Sequence, residues 1–341
     1  MPALGDIWFF LVGVLLLGYA VLDGFDLGAG TLHLFVARTD DERRTVLRSI
    51  GPVWDGNEVW LLTAGGALFA AFPLVYATVF SGFYLALILL LAALIFRAVA
   101  LEFRDQVESA GWKRAWDVAF FLGSALPALL LGVAVGNAVR GLPIDASGNY
   151  AGCLVGLLTP FPLLVGLLVV ALVVTHGAAW LTLKTEGELA GRARRASLAG
   201  WAALAVLWVL VTLIGRVLAA DRWDAFGNPL AWIAPAVVVV ALVAFPLLVR
   251  ARRELAAFGA SALGIAGLIA TMGIGLYPNL VPALDAPERS LTIARAASSD
   301  LSLTVMLVIT LLGVPLVLAY TAFVYWRFRG KVRPSDTGYA H

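Results

Sequence analysis

The chain has 341 residues, 61% of them hydrophobic and 13% charged, with a mean hydropathy of +0.93. That balance excludes a soluble globular domain of this length. The formal net charge of +2 is small, so no nucleic-acid partner is expected. The chain belongs in a membrane.

A spanning helix needs about 20 mainly apolar residues. Nine spans are predicted, at 5–36, 53–72, 77–100, 116–139, 156–182, 197–218, 230–249, 257–279 and 302–326. The expected fold is an all-α polytopic membrane protein, one integral membrane domain over residues 1–341. The first four and next four spans would make two four-helix units, with the ninth helix peripheral, although no sequence repeat relates the units. The opening MPALGDIWFFLVG has no Lys or Arg before its apolar run, so it reads as a first span rather than a removed signal peptide.

Lys and Arg alternate along the connections. Nineteen fall on one side, among them Arg38, Arg43, Arg44, Arg48 and Arg97, against five on the other. The positive-inside rule then puts the N-terminus outside and the C-terminus in the cytoplasm. An odd number of spans is required. Near the end, Ser298, Ser299 and Asp300 offer N-cap chemistry for the last helix.

Four carboxylates interrupt the apolar background. Asp23 and Asp26 lie in DGFDLGAG (23–30), and Asp55 and Glu58 in WDGNEVW (54–60). An ionised carboxylate within a bilayer costs several kcal/mol, which makes proton or ion traffic the functional reading. Each pair is three residues apart and shares a helix face. In the predicted orientation both pairs sit in the cytoplasmic half, and they would converge if the first two helices pack side by side. The plainer reading gives Asp55 the positive end of a helix dipole, Asp23 an arginine partner, and Asn57 a hydrogen bond within the protein. Gly24 and Gly28 form a G-x-x-x-G pair with Gly30 close by, a pattern for tight helix packing.

The other candidates are weaker. His33, His176 and His341 are scattered, and a single histidine among Val and Ala is more often structural than a haem ligand. Cys153 stands alone, so neither a disulfide nor a cysteine-based metal site is expected. No metal ligand and no catalytic residue is assigned to this chain.

The stretches GYAVLDGFDLGAG (18–30) and DDERRTVLRSIGPVWDGNEVWLLTAGGALFAAFP (40–73) closely resemble subunit II of the cytochrome bd ubiquinol/menaquinol oxidases. The likeness continues through FRAVALEFR, WKRAWD, GVAVGNAVRGLP, GLYPNLVP, SLTI and ASS, and is weakest between about 185 and 255. The resemblance implies a haem-free subunit of a heterodimer in the bacterial cytoplasmic membrane. Its partner, subunit I, would carry haem b and haem d, and small accessory subunits occur in some members. The complex would oxidise menaquinol or ubiquinol and reduce dioxygen to water, forming a proton gradient without pumping. A bound quinone in the clefts of the pair is left open. By the same resemblance Asp55 belongs to a proton path at the boundary with subunit I. Glu58 is replaced by Gln in some members, and His176 matches no family ligand. Two competing classes remain: a self-contained proton-coupled transporter, which would favour broken helices in two repeats, and a purely structural assembly subunit.

Overall fold

The computed structural model describes residues 4–332. Helix α1 (Leu4–Val36) is a single run of 33 residues, with Asp6 in its first turn and His33 in its last, each matched to the helix dipole. At 1.5 Å per residue it is about 50 Å long, well beyond a hydrocarbon core of about 30 Å. A short amphipathic helix follows, α2 (Asp40–Ile50), started by a capping box. Thr39 accepts from the Glu42 N–H (3.2 Å), and the Glu42 carboxylate accepts from the N–H groups of Thr39 (3.3 Å) and Arg38 (2.7 Å).

Next come α3 (Trp54–Ala71), α4 (Pro73–Gly82) and α5 (Tyr84–Phe103). Pro73 opens α4 and disfavours helical backbone at Phe72, so α3 stops at Ala71. A second break at Phe83 separates α4 from α5. Helix α6 (Ala110–Arg140) ends at Gly141, whose φ of 99° suits glycine. The remaining helices are α7 (Leu154–Leu157), α8 (Pro160–Lys184), α9 (Gly187–Leu218), α10 (Ile233–Arg250), α11 (Glu254–Leu276), α12 (Ile293–Ala296) and α13 (Asp300–Arg327). Ser299 caps α13, its hydroxyl accepting from the Ser302 N–H (3.3 Å). Among the described residues the only strands are β1 (Asn279–Val281) and β2 (Leu291–Thr292), an antiparallel pair before α13.

Eight helices among the described residues are long and apolar enough to cross a membrane: α1, α5, α6, α8, α9, α10 with its leading turn, α11 and α13. Helix α3 is not one of them. Its 18 residues reach about 27 Å and include Asp55 and Glu58. Helix α3 packs on α1, α5 on α6 and α1 on α6; helices α8 to α11 pack together, and α1 and α6 bridge to α8. Helix α13 lies against α1 and α3 with only Leu303 fully buried along its length. Glycines set the central crossing. A Cβ at Gly28 would overlap the Val173 carbonyl, and one at Gly177 would overlap the backbone of Gly28 and Ala29. The two backbones therefore touch, and α1 is enclosed from Asp23 to His33.

Candidate functional site

Enclosure of α1 explains why its carboxylates are buried. Asp23 is 0% and Asp26 1% exposed. A carboxylate there needs a partner inside the protein. For Asp23 the partner is Arg97 of α5, itself 1% exposed. Arg97 Nη2 donates to Asp23 Oδ1 at 2.8 Å and to Glu58 Oε2 at 3.0 Å. One guanidinium thus serves two carboxylates from two helices. Close approach of α6 seats that arginine: a Cβ on Gly123 would come within 2.7 Å of the Ala93 carbonyl and the Arg97 nitrogen.

Asp26 is held differently. Its Oδ2 accepts from Asn57 Nδ2 at 2.8 Å, and the same amide donates to the Leu22 carbonyl at 3.1 Å. Asn57 Oδ1 accepts in turn from the Tyr325 hydroxyl at 2.9 Å. Asn57 therefore ties α1, α3 and α13 together. Asp23 Oδ2, Asp26 Oδ1 and Arg97 Nη1 are buried with no hydrogen-bonding partner among the described residues.

Three of the four expected carboxylates gather here, and Asp55 does not. It is exposed on α3, one turn before Glu58. Side-by-side packing of α1 and α3 turns only one face of α3 inward, and Asn57 occupies it. Glu58 lies at the edge, its side chain 21% exposed, between the buried arginine and the surface that bears Asp55. The glycines also divide. Gly28 abuts α8 and Gly30 abuts Ser124 of α6, whereas a Cβ at Gly24 would meet only His176 Cδ2 at an ordinary 3.8 Å.

The sequence places Arg97 near the cytoplasmic end of the span predicted at 77–100; it lies buried inside α5. The sequence reading also passed over Asp117 of α6, the centre of a second buried network. Asp117 Oδ1 accepts from Arg104 Nε (2.6 Å) and lies 2.7 Å from His33 Nε2, while Oδ2 accepts from Arg43 Nη1 (2.7 Å). Arg104 also donates to Asp40 at 2.7 Å. Burial tends to raise the Asp40 pKa, but Arg104, Arg44 and Lys113 outweigh it and hold the carboxyl below its usual range. The available signal was the clustering of Arg43, Arg104 and Asp117 at the arginine-rich ends of their helices.

The two described histidines both bond protein groups. His176 Nε2 donates to the Val21 carbonyl (2.9 Å), and its Nδ1 lies 2.7 Å from the Ser261 hydroxyl. The ring stacks on Phe258 at 4.6 Å between centroids. His33 faces Asp117, and His341 lies outside the described residues. Among those residues no three His, Cys, Asp or Glu gather as a metal site.

Comparison with known proteins adds independent evidence. The family model described as "Cytochrome bd terminal oxidase subunit II" matches residues 4–328. The chain is 42% identical to the cytochrome bd-I ubiquinol oxidase subunit 2 of Escherichia coli K12, over 97% of this chain and 95% of that one. It is 36% identical to the cytochrome bd ubiquinol oxidase subunit 2 of Bacillus subtilis, over 97% and 98% respectively. A chain in the structure of the bd oxidase from Geobacillus thermodenitrificans superposes with a TM-score of 0.77 at 20% identity, covering 95% of this chain and 98% of that chain. At that identity the match speaks for the fold.

Proposed function

The chain belongs to the cytochrome bd terminal oxidase subunit II family, and we propose that it is the haem-free subunit that helps deliver protons to a haem-bearing subunit I. It is a multi-pass protein of the bacterial cytoplasmic membrane and part of a respiratory quinol oxidase. In this reading the complex oxidises quinol, reduces dioxygen to water and forms a proton gradient without pumping. Haem b and haem d belong to the partner. Engagement of both His176 nitrogens by protein groups supports that division, because neither is left for an iron.

Helix α3 serves as a ninth span, its polar face covered by α1 on one side and by subunit I on the other. One membrane domain then runs the length of the chain, with the N-terminus outside and the C-terminus cytoplasmic. Subunit I would cover the exposed face of α3, bringing Asp55 into the interface.

The observation that carries the proton reading is the gradation along α3 and α1. Asp55 is exposed, Glu58 sits at the protein edge, and Asp23 and Asp26 are fully enclosed. Asp55 and Glu58 are assigned the proton exchange with the outside of the cluster. Asp23 compensates Arg97, and Asp26 offers Oδ1, which no protein donor occupies among the described residues. If Asp55 carries protons, Asp55→Asn should slow oxygen consumption on the order of 100-fold, the low end for a positioned proton-transfer group. Assembly and the visible haem spectrum should stay unchanged. Full turnover in that variant removes Asp55 from the path, and loss of the complex itself favours the scaffold reading. Co-purification tests the rest: haem absorbance should appear only with a second subunit, and transport by this chain alone would favour a transporter.

A further inference from the structure

Helix α3 turns a narrow face to α1. Asn57, Trp60 and Ala64 lie on one side of it, at helical spacing, with Asn57 and Ala64 buried and Trp60 half-buried. The two helices run antiparallel, for Asn57 meets Leu22 and Asp26 while Trp60, farther along α3, meets Gly18, farther back on α1. Little else secures α3. No side chain caps its start, and only Asn57, Ala64 and Ala71 are fully buried among its residues. Trp60 is the largest side chain on the inward face.

Gly18 is where that side chain seats. A Cβ there would come within 2.1 Å of Trp60 Cε3 and 2.4 Å of Trp60 Cζ3. The six-membered ring of the indole therefore rests on the α1 backbone, in space that a side chain on residue 18 would fill. A methyl group at Gly18 would have to push the ring back by about 1.4 Å to reach an ordinary carbon–carbon contact. The ring also packs against the apolar cluster that joins Tyr19 and Leu27 of α1 to Leu90 and Leu94 of α5.

The polar contacts of α3 depend on its rotation. Asn57 reaches Asp26 at 2.8 Å, and Glu58, about 100° farther round the helix, reaches Arg97 at 3.0 Å. A side-chain tip lies about 5–6 Å from a helix axis, so a turn of about 20° carries it about 2 Å, enough to part a hydrogen bond. Asn57 holds α1 through one amide nitrogen, which leaves a pivot there. A second point of contact three residues on stops the pivot.

We propose that Trp60, seated on Gly18, holds α3 in the rotation that keeps Asn57 on Asp26 and Glu58 on Arg97. Gly18 and Trp60 are positioning residues, acting on the carboxylates through the helix that carries Asn57 and Glu58. Their effect on turnover rests on the proton reading above, whereas the geometry rests on the Gly18 contact alone.

The test introduces Gly18→Ala into the whole oxidase complex, followed by electron cryo-microscopy and by oxygen consumption. The Glu58–Arg97 contact should open past hydrogen-bonding distance. Turnover per assembled complex should fall about tenfold, since a misplacement of about 1 Å costs up to about 100-fold, and the ratio of rates in H2O and D2O should rise. Gly18→Ala with Trp60→Phe takes away the ring carbons that meet the methyl group and nearly conserves volume, so it should restore the contact and most of the turnover. If the single variant does not assemble with its haem spectrum intact, the double variant should; failure of both overturns the proposal. An unmoved α3 in Gly18→Ala also overturns it, because Trp60 has then yielded without turning the helix, and so does a double variant that stays slow. An opened contact with unchanged turnover upholds the positioning and removes Glu58 from the proton path instead.

Discussion

Two arginine–carboxylate networks meet α1, at Asp23 and at His33, about 15 Å apart along the helix. They are built from the same groups with opposite balance. Around Arg97 a single cation faces Asp23 and Glu58, with Asp26 and Asp55 nearby. Around Asp117 a single carboxylate faces two guanidinium groups and an imidazole. In the second network both Asp117 oxygens are taken by nitrogens of the protein. The first keeps more negative charge than its protein partners answer, in a setting where uncompensated charge is expensive. The proposed proton traffic would bring a mobile cation to this first network. Balance of charge, rather than burial alone, distinguishes the two networks.

Removing Arg97 breaks this comparison most severely. Arg97→Gln strips both Asp23 and Glu58 of their cation, a change that costs about 3–5 kcal/mol when a buried pair loses one member. Recovery of assembled complex and its melting temperature should both fall sharply. Adding Asp23→Asn should return part of the loss, because one uncompensated charge goes with it; failure to do so would separate the two residues energetically.

Asp117→Asn should cost less, about 2 kcal/mol, as Arg43 is 29% exposed and can turn to water. The melting temperature falls, but turnover per assembled complex should match the wild type. Slowed turnover with full haem content would place Asp117 on the proton route and erase the distinction drawn here.

The smallest effect is a pH dependence at the edge of the second network. Asp40 and Glu42 have folded pKa values below their ordinary 3.8 and 4.5. For Glu42, burial opposes the shift, while the Arg38 N–H and Arg192 drive it. Groups with depressed folded values contribute stability that is complete above the unfolded values and is lost as pH falls through the folded ones. Melting temperature should therefore decline below about pH 4. Arg104→Gln, which removes a partner of Asp40, should flatten that decline; an unchanged acid limb would mean other carboxylates dominate it.

Composition and hydropathy alone determined that this chain is helical and crosses a membrane repeatedly, because a lipid interior requires long apolar segments with satisfied backbones. The DGFD and WDGNEVW stretches marked the residues of interest and the family. The sequence allowed Asp23 an arginine partner without naming it. Arg97 looked like the end of a span, since one arginine beside an apolar run reads as a side chain reaching for the interface. Periodicity placed Asp55 and Glu58 on one face of α3 but could not say how far that face turns toward α1. Asn57 settled that rotation by bonding Asp26, leaving Asp55 outside. Only the tertiary structure could decide these points, because a carboxylate's role depends on the charges facing it, and here they come from helices 13 to 84 residues away in the chain.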